Sequence, residues 1–111
     1  MDAFEIQDIA DEHGRLGQLY HEFFAAPRIS LGLYVLPAGQ PDPQQPHTED
    51  EVYYVITGSG VIRVGDEDRP VMAGSIIYVG EGVEHRFHSV SEDLSILVVF
   101  APPRRSRAAS G

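Results

Sequence analysis

Between Ile29 and Phe100 the chain alternates short β-prone runs with clusters of Gly, Pro, Asp and Ser. No stretch in that span makes a convincing helix, which needs apolar residues three and four apart. The runs are Ile29–Leu36, Val52–Ile56, Val61–Val64, Arg69–Met72, Ser75–Val79, Val83–Val90 and Leu94–Phe100. Between them stand the turn signals Pro37-Ala38-Gly39, Thr57–Gly60, Gly65–Asp68, Ala73-Gly74, Gly80–Gly82 and Ser91–Asp93. With a strand expected over Gln18–Phe24, another through residues 45–51 and an edge strand around Phe4–Ile6 counted as well, the total is about nine or ten strands, which predicts an all-β sandwich or barrel.

The ends are less defined. Residues 1–14 read as an edge strand around Phe4–Ile6, a helical turn, or nothing fixed, and His13 reads as exposed. Over 15–26 an amphipathic helix competes with a strand; Gly17 and the aromatic density favour the strand. The tail 102–111 lacks an apolar anchor and is expected to be disordered. The expected organisation is an N-terminal arm (1–14), one barrel domain (15–101) and that tail.

Composition narrows the function classes. At 111 residues one domain buries roughly two-thirds of its unfolded surface. With no cysteine there is no disulfide, and no apolar run reaches the ~20 residues of a membrane span. A cytoplasmic location is the expectation. Seventeen acidic residues face eight arginines and no lysine, and three of those arginines lie at 104, 105 and 107. Such a surface repels phosphate backbones, so neither nucleic acid nor membrane is an expected partner.

The chemistry concentrates in GQPDPQQPHTEDEVYYVITG, Gly39 to Gly58. Four prolines within residues 37–46 preclude regular structure there and stiffen the entry to the next strand. Side chains an even number of residues apart share a strand face, so Gln45, His47 and Glu51 point the same way if the pairing has no bulge. Imidazole, carboxylate and amide oxygen on one face suit a divalent metal. Gln44 has the other parity, but one extra residue in the proline-bound loop would turn it inward instead.

This stretch resembles the first motif of the cupin superfamily: Gly, five residues, His-x-His, three residues, Glu, six residues, Gly. Here Gly39, Gln45-x-His47, Glu51 and Gly58 keep that spacing, with Gln45 in place of the first His. The second motif reads Gly, five residues, Pro-x-Gly, two residues, His, three residues, Asn. Gly74, Gly80-x-Gly82, His85 and Ser89 keep its spacing, with Gly80 and Ser89 as departures. The two motifs cover 39–89, almost half the chain.

The resemblance implies a small single-domain cupin, a double-stranded β-helix (jelly-roll) barrel, with one divalent metal (Fe, Zn, Mn or Ni) held by Gln45, His47, Glu51 and His85. Tyr53 shares the face of Glu51 and Phe87 that of His85, so both should line the interior; Tyr53 and Glu51 are the catalytic candidates. Tyr34 and Tyr78 are weaker candidates, His88 reads as surface, and Glu49 reads as exposed. The expected function is a metal-dependent enzyme for a small organic substrate, by first choice an oxidoreductase of the non-heme dioxygenase type. The alternatives are a redox-neutral isomerase, cyclase or lyase, and a non-catalytic small-molecule-binding protein. Exposed strand edges point to a homodimer.

Overall fold

A computed structural model describes residues 1–44 and 46–104. It contains one helix, α1 (Ile6–Leu16), and six strands, β1 (Tyr20–Ala26), β2 (Ile29–Leu36), β3 (Asp50–Val64), β4 (Glu67–Met72), β5 (Ile76–Val79) and β6 (His85–Ala101). The pairing is antiparallel throughout, in the order β1-β2-β6-β3-β4, with β5 on β3. The sheet forms an all-β jelly-roll barrel, as the sequence leads one to expect.

Six strands stand where nine or ten are expected: β3 and β6 run through two of the predicted turns, α1 takes the place of an N-terminal strand, and residues 46–49 are loop. Along β3, Glu51, Tyr53 and Val55 are buried, and beyond the break it is Ile62 that is buried, so the inward parity has switched. Along β6, His85 and Phe87 give way in the same manner to Val90, Leu94 and Ile96. The β3–β6 register is irregular between Val55 and Val61. Gly58, at φ +98°, and Ser89, at φ +51°, stand near these switches. At Gly58 a Cβ would lie 2.1 Å from the Asp93 carbonyl oxygen, so only glycine lets the strands cross there. Gly and Ser clusters here bend strands without reversing the chain.

α1 corrects the reading of the N-terminus. Ile6, Ile9, His13 and Leu16 fall at helical spacing, and Ile9 and His13 are the buried pair. Asp8 in the first turn and His13 and Arg15 in the last complement the helix dipole, and Gly17, in left-handed conformation, ends it. His13, expected to be exposed, is buried, and its Nε2–H donates to the Leu19 carbonyl at 2.8 Å. That bond ties the helix to the entry of β1.

Inside the barrel Leu36, Tyr53, Val55, Phe87, Ile96 and Phe100 form a continuous core, each worth roughly 1.5–3 kcal/mol or more on burial. Tyr53 and Phe87 both face inward, as predicted, and meet edge to face at 5.1 Å. The expected disordered tail begins as placed chain: the Arg104 amide donates to Ser30 Oγ at 3.0 Å. The rest of that tail, 105–111, lies outside the described residues.

Candidate metal centre

Three segments bring the ligating groups together. His47 sits in the proline-rich loop before β3, Glu51 is the second residue of β3, and His85 opens β6. One ligand atom from each lies within 4.8 Å of the others. Glu51 is 1% exposed and His85 5%, while His47 is partly open. Backbone bonds set the distance between the two histidine segments: the Gly82 amide donates to the His47 carbonyl at 2.7 Å. Gly82 adopts φ +73°, and this turn carries the chain into His85.

The His85 ring is aimed by its second nitrogen. Nδ1–H donates to the Val83 carbonyl at 2.8 Å, which leaves Nε2 for the centre. Nε2 lies 2.9 Å from Glu51 Oε1 yet makes no aligned hydrogen bond. Both Glu51 carboxylate oxygens likewise have no hydrogen-bond partner among the described residues. Buried polar atoms of this kind cost about 1–3 kcal/mol each when left bare. The bare Glu51 oxygens and His85 Nε2 converge beside the His47 imidazole, and this donor set fits a divalent metal, which would satisfy the bare atoms at once.

The fourth group within reach is an amide. Gln44 Oε1 accepts from the Tyr53 hydroxyl at 3.0 Å and lies 3.5 Å from His47 Nε2. Gln45, the residue expected in the ligand set, lies outside the described residues.

The sequence model of the cupin domain matches residues 32–100, from within β2 almost to the end of β6. The chain belongs to the cupin family. A relative in Streptomyces coelicolor, an uncharacterized protein, is 46% identical over 103 residues, covering 93% of this cupin and 98% of its own length. A solved Thermus thermophilus protein superposes with TM-score 0.71 at 26% identity, covering 93% of this cupin and 99% of that chain. The DMSP lyase DddQ of Ruegeria pomeroyi superposes with TM-score 0.68 at 19% identity, covering 74% of this cupin and 45% of the lyase; that likeness concerns the fold alone.

The electrostatics of the cupin's centre separate its two histidines. Burial is the main influence on His47 and holds its pKa below the ordinary imidazole value, against the pull of Glu51. Burial is also the largest single influence on His85, but the Glu51 carboxylate and the Val83 carbonyl together outweigh it and leave the pKa raised. Tyr53 is pushed well above the ordinary phenol value, first by burial and then by the Glu51 charge. Its hydroxyl therefore keeps its proton and acts as a donor.

Other expectations sort by position. Glu49, expected to be exposed, is 1% exposed and accepts from the Thr48 hydroxyl. Tyr34 is buried with its hydroxyl on Asp42 Oδ1 at 2.5 Å, whereas Tyr78 is 63% exposed and bonds Asp50 on the outer surface. His88 lies outside the core, on Asp68 at 2.8 Å. The reading of the sequence missed Asp42. It stands two residues before Gln44 in a loop where the prolines, not the aspartate, draw attention.

Proposed function

We propose that this cupin is a metal-dependent enzyme acting on a small organic molecule, with His47, Glu51 and His85 as the protein ligands and Gln44 as the neighbouring amide. The observation that carries the reading is the bare, buried convergence of the Glu51 oxygens and His85 Nε2 beside His47. A divalent metal in this set supplies Lewis acidity and, if it is iron, redox chemistry with dioxygen. The residues themselves do the rest. Val83 orients the His85 imidazole, Gly82 fixes the His47 backbone, Tyr53 fixes the Gln44 carboxamide, and the core aromatics Phe87 and Phe100 keep water from the inner side.

Non-heme oxygenase chemistry is the preferred class, because two histidines and one carboxylate form the donor set typical of those enzymes. The redox-neutral reading, isomerase, cyclase or lyase, draws support from one feature: the Tyr53 hydroxyl keeps its proton next to the centre, where a substrate oxygen that displaced the Gln44 carboxamide would receive its hydrogen bond. Elemental analysis of protein purified without oxygen separates them. Stoichiometric iron is the expected result; zinc or manganese favours the redox-neutral class. A chain that takes up no metal contradicts both and leaves a binding protein.

A further inference from the structure

Beside His47 the barrel opens into a cavity of about 410 Å³. Most of its wall is apolar: Leu19, Pro43, Val98, Phe100 and the ring of Tyr20. His47 belongs both to this wall and to the metal centre, and Phe100 packs edge-on against its imidazole at 5.0 Å. Anything bound in the cavity therefore reaches the centre from the His47 side.

The wall also contains Arg104. Its backbone is held by the fully buried Ser30, and its guanidinium lies 4.7 Å over the Tyr20 ring. The Tyr20 ring is itself seated by a missing side chain: a Cβ at Gly32 would come within 2.1 Å of Tyr20 Oη. The cation thus rests on a fixed aromatic platform. No described carboxylate forms an ion pair with it. Glu49, the acidic residue in the same wall, is engaged by Thr48.

Resting on the metal-enzyme reading above, we infer that this cavity takes a small monocarboxylate with an apolar body, its carboxylate on Arg104 and its reactive end at the His47–Glu51–His85 centre. A planar guanidinium matches a carboxylate with two parallel hydrogen bonds, and the apolar wall suits a compact hydrocarbon or aromatic body. The chain as a whole carries a net charge of −9 and repels anions. Screening confines that repulsion to about 8 Å at physiological salt, so the nearest unpaired cation decides what enters.

The test is calorimetric titration of the full chain with benzoate against benzamide and hexanoate against hexanamide, in metal-free and zinc-loaded protein. The wild type should bind each acid at least about tenfold more tightly than its amide in both states. Arg104→Gln should bring the ratio close to one with an unchanged melting temperature, and Arg104→Lys should keep part of it. Equal binding of acid and amide, no binding of any probe, or a preference that survives Arg104→Gln overturns the inference. A preference seen only with zinc and indifferent to Arg104 does so as well, since the acid would then sit on the metal. Metal content is measured on the same samples. A chain that holds no metal but prefers acids through Arg104 contradicts the proposed function and leaves the anion site standing; metal uptake without that preference does the reverse.

Discussion

Asp42 holds Gln44 beside the His47–Glu51–His85 cluster through two bonds, Gln44 Nε2 to Oδ2 at 2.8 Å and the Gln44 backbone amide to Oδ1 at 3.2 Å. The same carboxylate accepts from the Phe87 amide at 2.8 Å and from Tyr34 Oη at 2.5 Å, so the proline-rich loop is tied to β6 and β2. Every partner of Asp42 is a donor. In Asp42→Asn an NH₂ group would face donors on one side, at a cost of roughly 1–3 kcal/mol. We expect a lower melting temperature and several-fold weaker metal binding, read by calorimetric titration. Unchanged metal affinity in a folded variant would show that Gln44 does not depend on this pin.

The opposite shifts of the two histidines give the metal-free protein a defined pH dependence. The raised pKa of His85 means that its protonation stabilises the fold fully below the ordinary imidazole value, about 6.5, and is lost as pH rises through the raised value. The lowered pKa of His47 acts the other way: its contribution is present above about 6.5 and is lost as pH falls through the lowered value. Thermal melts of metal-free protein should therefore show stability falling on the alkaline side of about 6.5, and His85→Gln should remove that fall. A fall that persists in the variant would assign it to another group.

Two motif glycines separate steric from conformational cost. Gly58 and Gly74 both have positive φ, +98° and +95°, but a Cβ at Gly74 meets open space whereas one at Gly58 meets the Asp93 carbonyl. Gly74→Ala should cost about 1–2 kcal/mol, the price of the left-handed conformation. Gly58→Ala should cost more than about 3 kcal/mol, because two strands must move apart. Chemical denaturation measures both, and equal costs would mean that the crossing of β3 and β6 is soft.

The expected homodimer follows from β1, which ends the described sheet order with one edge unpaired. Sedimentation at micromolar concentration should give twice the chain mass of 12.2 kDa; a single chain mass would remove the proposal.

Much of the barrel was legible because alternation in β3 and β6 is strong where it matters: Glu51, Tyr53, Val55 on one strand, His85 and Phe87 on the other. The three charged or imidazole candidates, His47, Glu51 and His85, followed from motif spacing. The bends within those strands were not legible, since Gly58-Ser59-Gly60 and Ser91-Glu92-Asp93 have the composition of reversing turns. α1 was hidden by its few apolar residues and by Gly14 and Gly17, and its burial depends on His13 finding the Leu19 carbonyl. The choice between Gln44 and Gln45 could not be made from parity in a proline-bound loop; the Asp42 contacts place Gln44 inward. Arg104 was set aside with the tail, because its anchor is Ser30, 74 residues earlier.

The most direct test of the account is metal binding at the centre itself. Metal-free protein is titrated with iron(II) and with zinc under anaerobic conditions, beside Glu51→Gln, Gln44→Ala and Gln45→Ala. The account predicts one ion per chain for the wild type, loss of stoichiometric binding in Glu51→Gln, and an affinity about tenfold lower in Gln44→Ala but unchanged in Gln45→Ala. Wild-type protein that takes up no ion, or Glu51→Gln protein that binds as the wild type does, would contradict it.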